Sequence, residues 1–184
     1  MDTAAISLVF SFFGLLLAPS GAVPGQAPAA APADVGTIAD IMRVSYEVIS
    51  GPAGAPRQWE RDRTLYMSGA TFVVTGKRNG KVETTIMTPE EYRRKSDAKF
   101  VARGLFETEV GSRIERFGNV AQVRSVSVAR RTPGGPVEGR YVNYVQLYWD
   151  GARWWIAGAV WDEERPDNPI PAEWLGHSAT RATR

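Results

Sequence analysis

The stretch YVNYVQLYWDGARWWIAGAVW, residues 141–161, decides the fold of this 184-residue chain. Two runs rich in β-branched and aromatic residues flank Asp150-Gly151, and together they hold four of the six tryptophans. An Asp-Gly pair between alternating apolar runs is a strong hairpin signal, because both central residues of a type I′ turn need positive φ. The stretch therefore predicts a hairpin with strands from Tyr141 to Trp149 and from Arg153 to Trp161.

Three helices are predicted upstream of this hairpin. Thr37 caps the first, whose apolar residues recur on one helical face, and Gly51-Pro52 ends it. A short second helix runs from Arg57 to Leu65 with Trp59 as its apolar anchor. The run Thr88-Pro89-Glu90-Glu91 is a capping box that begins a third helix, ending near Arg103.

Four further segments have the composition of strands. They extend from Thr71 to Thr75, Val82 to Met87, Phe106 to Phe117, and Val120 to Arg131. Helices and one hairpin thus precede a four-stranded antiparallel meander, an order typical of α+β layer folds. We predict an α+β fold with a curved antiparallel sheet and three helices packed on its concave face.

Composition excludes several classes of function. The 22 basic and 20 acidic residues are too balanced to predict a nucleic-acid surface. The chain has no cysteine, which excludes disulfides, thiol nucleophiles and cysteine-based zinc sites. The only histidine, His177, lies in the polar tail, so neither a Ser-His-Asp set nor a histidine metal site is predicted. We expect no metal and no cofactor.

The N-terminus predicts export. The apolar run from Ile6 to Ala18 has the length of a signal-peptide core and is shorter than the roughly 20 residues that span a bilayer. We expect cleavage after Ala22, a periplasmic or secreted location, and no stable membrane insertion afterwards. Residues 1–22 are then the signal peptide, 23–33 a disordered Ala/Pro-rich linker, 34–175 the domain, and 176–184 a flexible tail.

The predicted element order, with several short motifs, resembles the nuclear transport factor two-like superfamily from about Asp34 to Leu175. The motifs are Ser50-Gly51-Pro52-Ala53-Gly54, Gln146-Leu147, Arg153-Trp154-Trp155-Ile156 and Asn168-Pro169-Ile170-Pro171. They are most similar to those of exported bacterial members of unassigned function. The resemblance implies a cone-shaped sheet. It does not imply a reaction, because this superfamily contains ketosteroid isomerase and other enzymes alongside many non-enzymes.

The resemblance to ketosteroid isomerase fails at the residues that carry its chemistry. Tyr46 matches a tyrosine late in the first helix of that enzyme. Val145, however, stands where the isomerase has its oxyanion-hole acid, and Val74 stands near the position of its catalytic base. A valine neither takes nor gives a proton. We therefore predict no catalytic set.

One face of the 141–161 hairpin predicts a ligand pocket. A two-residue Asp150-Gly151 loop would pair Leu147 with Trp154, Val145 with Ile156, and Asn143 with Gly158. Asn143 beside a glycine would leave room for a ligand with one hydrogen-bonding group, or the amide would satisfy a backbone group instead. The predicted ligand-binding residues are Tyr46, Trp59, Asn143, Val145, Trp154 and Gly158.

The opposite face of the same hairpin predicts an interface. It carries Tyr144, Gln146, Tyr148, Trp155 and Trp161, and Tyr and Trp are enriched in interface cores. We expect a homodimer through the sheet. The alternative is that the tail from Asp162 to Leu175 folds back and covers this face with Ile170 and Trp174.

Three functions remain open from the sequence. The first is binding of a small, mostly apolar molecule in the cone. The second is a cofactor-independent lyase, isomerase or hydrolase that uses Glu109 or Asp62 with Tyr46. Glu107 and Glu109 share a strand face, but such pairs are commonly solvated or paired with a neighbour, here Arg124. The third is a structural dimer whose cone is filled by residues such as Phe72, Phe100 and Trp154. An ionisable side chain inside the cone would favour the enzyme.

Overall fold

The computed structural model describes residues 29–176 and 178–182. The predicted signal peptide and cleavage site, most of the predicted linker, and His177 lie outside the described residues. None of the helices within the described ranges is long and apolar enough to cross a membrane.

The chain folds into helices and one mixed sheet. The helices are α1 (Pro32–Val35), α2 (Ile38–Glu47), α3 (Trp59–Arg63) and α4 (Pro89–Arg103), with a 3₁₀ turn at Ala172–Trp174. The strands are β1 (Tyr66–Arg78), β2 (Lys81–Met87), β3 (Phe106–Phe117), β4 (Val120–Arg130), β5 (Gly139–Trp149), β6 (Trp154–Glu163) and β7 (Ser178–Ala182). The α+β class and the six long strands confirm the sequence-based prediction, whereas the described helices exceed the predicted three by α1.

The sheet order is β2-β1-β6-β5-β4-β3-β7. From β3 to β6 the chain forms the predicted antiparallel meander. The prediction of a purely antiparallel sheet was wrong, because β1 pairs parallel with β6 and β7 pairs parallel with β3. In the chain β1 is separated from β6 by β2, α4 and the strands β3 to β5, so no tight turn forces β1 and β6 to run antiparallel.

The two helix starts predicted from capping residues are confirmed, whereas the short helix predicted from Arg57 to Leu65 is observed as Trp59–Arg63. Thr37 accepts a hydrogen bond from the backbone N–H of Asp40. Thr88 and Glu91 form both bonds of the capping box, with Pro89 in the first turn. α2 contacts β3 and β6, and α4 contacts β1, so the two longest helices cover the same side of the sheet. This side is called the helix side below.

The β5–β6 hairpin forms where predicted, but its predicted register was wrong. The observed pairs are Trp149–Trp154, Leu147–Ile156, Gln146–Gly158, Val145–Ala159 and Asn143–Trp161. The loop has four residues because the Asp150 carboxylate accepts hydrogen bonds from the N–H groups of Ala152 and Arg153, at 2.8 and 2.9 Å. Ala157 has no partner in this register, which is a β-bulge.

The bulge changes which side of the sheet each β6 residue faces. Trp154 and Ile156 point to the helix side before it, and Ala159 and Trp161 point there after it. Trp161 was predicted on the interface face, and this prediction was wrong because the bulge adds one residue to the alternation. Gly158 is required by a close approach, since a Cβ at this position would lie 2.9 Å from the backbone oxygen of Thr71 in β1.

Candidate functional site

A cavity of about 430 Å³ lies between α2, α4 and the helix side of the sheet. This aromatic cavity is walled by Tyr46, Tyr66, Phe72, Tyr92, Phe100, Tyr141 and Trp161. Aliphatic side chains such as Met42, Val74 and Ala159 complete its apolar surface. Its polar lining is small: Ser45, Lys95, Ser96, Lys99, Glu107 and Asn143. Mostly apolar walls with a few polar groups are typical of small-molecule sites.

The aromatic walls are held by contacts among the rings. Phe72 lies edge to face against Tyr66, Tyr92 and Trp161, with ring centroids 5.3 to 5.5 Å apart. Tyr92 also meets Trp161 and Phe100, at 5.9 and 6.2 Å. Edge-to-face pairs are the favoured geometry for aromatic side chains, so the rings support one another as walls of the cavity.

A hydrogen-bonded network joins the cavity to β3 and β4. The Tyr46 hydroxyl lies 2.7 Å from Ser125 Oγ, and Ser125 Oγ donates to Glu109 at 2.5 Å. Because the single proton of Ser125 goes to the carboxylate, Tyr46 must be the donor to Ser125. The order of donation is therefore Tyr46 to Ser125 to Glu109.

The second arm of the network ends at Glu107. Ser127 Oγ donates to Glu107 at 2.7 Å. Asn143 Nδ2 donates to Ser127 Oγ at 3.2 Å and to the Tyr46 hydroxyl at 3.3 Å, so the amide links both arms. Asn143 therefore donates to buried hydroxyls, and it also donates to the backbone oxygen of Ser125 at 3.5 Å, the kind of backbone partner that the sequence offered as one alternative. The network fixes the orientation of both carboxyl groups.

Electrostatics distinguish Glu107 from the other charged groups near the cavity. Within residues 29–176, neither Glu107 nor Glu109 forms an ion pair. Burial raises the pKa of the Glu107 carboxyl above its ordinary value, and the hydrogen bond from Ser127 offsets this only in part. Burial and the charge of Glu107 also raise the pKa of Tyr46, so its phenol keeps its proton at neutral pH. An acid with a raised pKa in a cavity is suited to proton transfer.

A second depression of about 550 Å³ lies between α2 and β3. This α2–β3 groove contains Glu109, together with Arg43 and Glu47 from α2. It shares Met42, Tyr46 and Glu107 with the aromatic cavity. Glu107 therefore lies at the boundary between the aromatic cavity and a groove that contains Arg43, Glu47 and Glu109.

The backbone of Glu107 is anchored independently of its side chain. Its N–H donates to Ser50 Oγ at 3.0 Å, and Ser50 Oγ donates to the Tyr46 carbonyl oxygen at 2.7 Å. This ties the start of β3 to the end of α2. The carboxyl group is thereby positioned by two secondary-structure elements, a form of preorganisation that sites of defined chemistry need.

Three of the six predicted ligand-binding residues line the aromatic cavity: Tyr46, Asn143 and Val145. The other three lie elsewhere. Trp59 packs on the outer side of Phe100 and donates from Nε1 to Asp97 at 2.6 Å. Trp154 is buried against Trp149 under the Arg116 guanidinium, and the shifted register removes Gly158 from the cavity.

The residues considered for catalysis in the sequence analysis lie in different parts of the structure. Asp62 is buried in an ion pair with Arg93 at 2.6 Å and does not line the cavity. Glu109 connects to Tyr46 through Ser125, on the groove side. Val145 and Val74 both line the cavity as apolar groups, but a carboxyl group enters from β3 at Glu107 instead. Among the described residues, no cluster of carboxylates or imidazoles could hold a metal ion.

The sequence interpretation missed Ser125 and Ser127, which are fully buried. They alternate with Val123 and Ala129 on the helix side of β4, so two hydroxyls at i and i+2 in an apolar strand face were the available signal. The suggested partner Arg124 lies instead on the outer side of the sheet, stacked 3.8 Å from the Trp174 ring centroid.

The outer face of the hairpin is partly covered by the chain itself. Tyr144 shares a crevice with Ile170 and Trp174, as the alternative to an interface predicted. Trp155 stacks under Arg153 at 3.7 Å and donates from Nε1 to Asp150 at 2.6 Å. Gln146 and Tyr148 border a separate shallow surface with Phe117 and Val120.

Among known proteins, the chain is similar to several solved structures of unknown function. No protein-family model matches the chain, and no curated protein does either. The chain is similar to an NTF2-like protein of unknown function from Methylobacillus flagellatus, with 13% identity and a TM-score of 0.45 over 70% of this chain and 95% of that one. A second NTF2-like protein of unknown function, from Shewanella baltica, has 11% identity and a TM-score of 0.44 over 67% of this chain and 86% of that one. A protein of unknown function from Mycobacterium tuberculosis has 18% identity and a TM-score of 0.45 over 72% of this chain and 73% of that one.

The first two of these structures carry the same family description as the resemblance found in the sequence. Their identities and TM-scores are too low to transfer a ligand or an activity. The fold description therefore rests on the chain's own element order, and any statement of function rests on the chemistry of the aromatic cavity.

Proposed function

We propose that this protein binds a small, ring-containing, mostly apolar molecule in the aromatic cavity. The observation that carries the proposal is the lining, in which seven aromatic side chains surround one carboxyl group that has no ion-pair partner among the described residues. Flat aromatic walls favour ring-containing ligands, and Glu107 supplies a polar contact that would orient one.

The volume of the cavity supports binding over a structural dimer with a filled cone. Phe72 and Phe100 were expected to fill the interior, yet they form its walls. Trp154 packs outside the cavity. A space of about 430 Å³ falls within the range of small-molecule sites, and a fully packed interior leaves no such volume.

The test uses the neutral fluorescent probe N-phenyl-1-naphthylamine. We expect saturable binding with enhanced fluorescence in the wild-type protein. Ala159→Phe puts a ring into the cavity and should abolish saturable binding. Ala98→Phe, on the exposed side of α4, adds the same ring outside the cavity and should leave binding unchanged.

Overpacking can also destabilise the fold, so a second lining variant is needed. Val74→Phe fills the cavity from β1, and circular dichroism of each variant reports whether the fold persists. If both folded lining variants bind the probe as the wild type does, the aromatic cavity is not the binding site and the proposal fails.

A second candidate function is a cofactor-independent enzyme that begins with proton transfer, as a lyase, isomerase or hydrolase does. It is favoured by the position of Glu107, which lines the cavity, has no ion-pair partner among the described residues, and has a pKa that burial raises. In this function Glu107 would take a proton from the substrate or give one to it, and Tyr46, which keeps its proton, would stabilise the arrangement through Asn143.

Deuterium exchange tests the enzyme candidate. A panel of cyclic ketones and enones is incubated with the protein in D₂O, and mass spectrometry measures deuterium incorporation. Glu107→Gln should abolish incorporation, while Glu109→Gln, in the groove, should retain it. Equal rates in the wild type and Glu107→Gln would exclude Glu107 as the catalytic residue.

We also propose a homodimer, now centred on a narrower surface than the whole outer face. Phe117 and Val120, at the β3–β4 turn, are 83% and 56% exposed and lie beside Tyr148. The double variant Phe117→Ser, Val120→Ser should be a monomer by light scattering. Val82→Ser, Ile86→Ser changes exposed apolar residues of β2 and should not alter the oligomeric state.

Export remains our proposal from the apolar run between Ile6 and Ala18. The supporting result would be a mature protein, recovered outside the cytoplasm, whose N-terminal sequence begins at Val23. Recovery of the full-length chain from the cytoplasm alone would contradict it.

A further inference from the structure

We propose that the ligand of the aromatic cavity is a ring-containing organic monoanion whose charged group is bound by Lys95 and Lys99. The inference rests on the proposed binding function and adds the charge class of the ligand. Both lysines are exposed residues of α4, and both line the cavity. They therefore lie where the cavity meets solvent.

The two lysines share one face of α4. Their spacing of four residues places them one above the other along the helix, with Ser96 also lining the cavity on this side. Two ammonium groups at adjacent levels of one wall can approach the same anionic group, and the Ser96 hydroxyl can donate to it as well.

The acidic groups near these lysines are already engaged. Glu91, one turn before Lys95, is held in the capping box by Thr88. Asp97 accepts the hydrogen bond from Trp59. Within the described part of the chain, neither lysine forms an ion pair. The charge of Glu91 still acts on Lys95, but two like charges whose nearest acids are held by other groups favour binding of an external anion.

The Glu107 carboxyl, which also lines the cavity, limits the ligand to one anionic group. Glu107 belongs to the sheet wall, whereas Lys95 and Lys99 belong to the helix wall. A second negative group on the ligand would meet the Glu107 carboxyl and be repelled or require its protonation. A neutral hydroxyl or carbonyl at that end would be accepted.

The experiment compares two probes that share the anilinonaphthalene skeleton and differ in charge. N-phenyl-1-naphthylamine is neutral, and 1-anilinonaphthalene-8-sulfonate carries one negative charge. We expect the wild-type protein to bind the anionic probe about tenfold more tightly, because each partly exposed lysine contributes a few-fold. The preference should fall as salt is raised, since exposed charges are screened.

The variant Lys95→Gln, Lys99→Gln should lose the preference for the anionic probe and keep its affinity for the neutral one. The control variant Lys81→Gln, Arg94→Gln removes the same net charge from exposed positions outside the cavity lining and should retain the preference.

The outcomes separate the two proposals. If the wild type binds both probes equally, or if the control variant loses the preference as fully as the lysine variant, the anion inference is overturned while binding in the cavity stands. If neither probe binds saturably, the proposed binding function itself fails, and the inference fails with it.

Discussion

Asp62 and Glu107 are both carboxyl groups removed from bulk water, yet their surroundings differ completely. Asp62 is 4% exposed in its side chain and accepts a hydrogen bond from Arg93 Nε at 2.6 Å, with Tyr66 as a further donor at 3.4 Å. Glu107 faces two depressions and, among the described residues, its carboxyl accepts only from Ser127.

Pairing, more than burial, separates a structural carboxyl group from a candidate functional one. A buried ion pair ties α3 to α4 through Asp62 and Arg93 and exposes nothing to a ligand. An unpaired carboxyl beside a cavity costs stability and persists where its surroundings hold it in place. Glu107 is held by Ser127 and by its anchored backbone.

The largest expected effect comes from changing each carboxyl to an amide. Asp62→Asn leaves the buried Arg93 without its main counter-charge and should lower the free energy of unfolding by about 3 kcal/mol. Glu107→Gln removes a charge that has no counter-ion and should change it by less than about 1 kcal/mol. Urea unfolding monitored by fluorescence measures both. An equal loss of unfolding free energy in the two variants would contradict the distinction between the two carboxyl groups.

A smaller effect is expected from the two buried serines of β4. Ser127→Ala removes the donor to Glu107, so it should cost about 1–2 kcal/mol of stability and raise the pKa of Glu107 further. Ser125→Ala, the matched change on the other arm, should leave the pKa of Glu107 in place. Carbon NMR of the glutamate carboxyls over a pH titration measures the pKa of Glu107 in each variant. A changed pKa of Glu107 in both variants would contradict the separation of the two arms.

The smallest effect is a pH dependence of stability. Because the folded-state pKa of Glu107 is raised, its stabilising contribution is present below the unfolded pKa and is lost as pH rises through the folded pKa. Glu107→Gln should therefore gain stability relative to wild type as pH rises from the unfolded pKa through the folded pKa of Glu107, and this gain should stay below about 1 kcal/mol. Unfolding at a series of pH values measures this. A constant difference would show that the carboxyl is not perturbed.

The sequence predicted the elements because their signals are local. The capping box at Thr88 and the turn at Asp150 act through neighbouring atoms, so a short motif suffices to identify each. The register of the β5–β6 hairpin could not be predicted, because the bulge at Ala157 lies beside Gly158, where β6 pairs closely with the distant strand β1. A contact between distant strands leaves no motif in one of them.

The candidate site was predictable only in part, because it too depends on contacts between segments that are distant in the sequence. Glu107 and Glu109 were placed on one strand face, but alternation alone cannot show that this face lies under α2. Ser125 and Ser127 decide the orientation of both carboxyls, and they become meaningful only when β3 and β4 are paired. The position of Lys95 and Lys99 at the cavity could not be predicted, because nothing in the helix sequence shows the cavity beside them.

The central claim is that Glu107 is a perturbed acid in a cavity that accepts an apolar molecule. Carbon NMR of the Glu107 carboxyl over a pH titration, with and without N-phenyl-1-naphthylamine, tests it most directly. We expect a midpoint above the ordinary value of 4.5, and a further rise when the probe displaces water from the carboxyl. A midpoint at 4.5 that the probe does not move would contradict the claim.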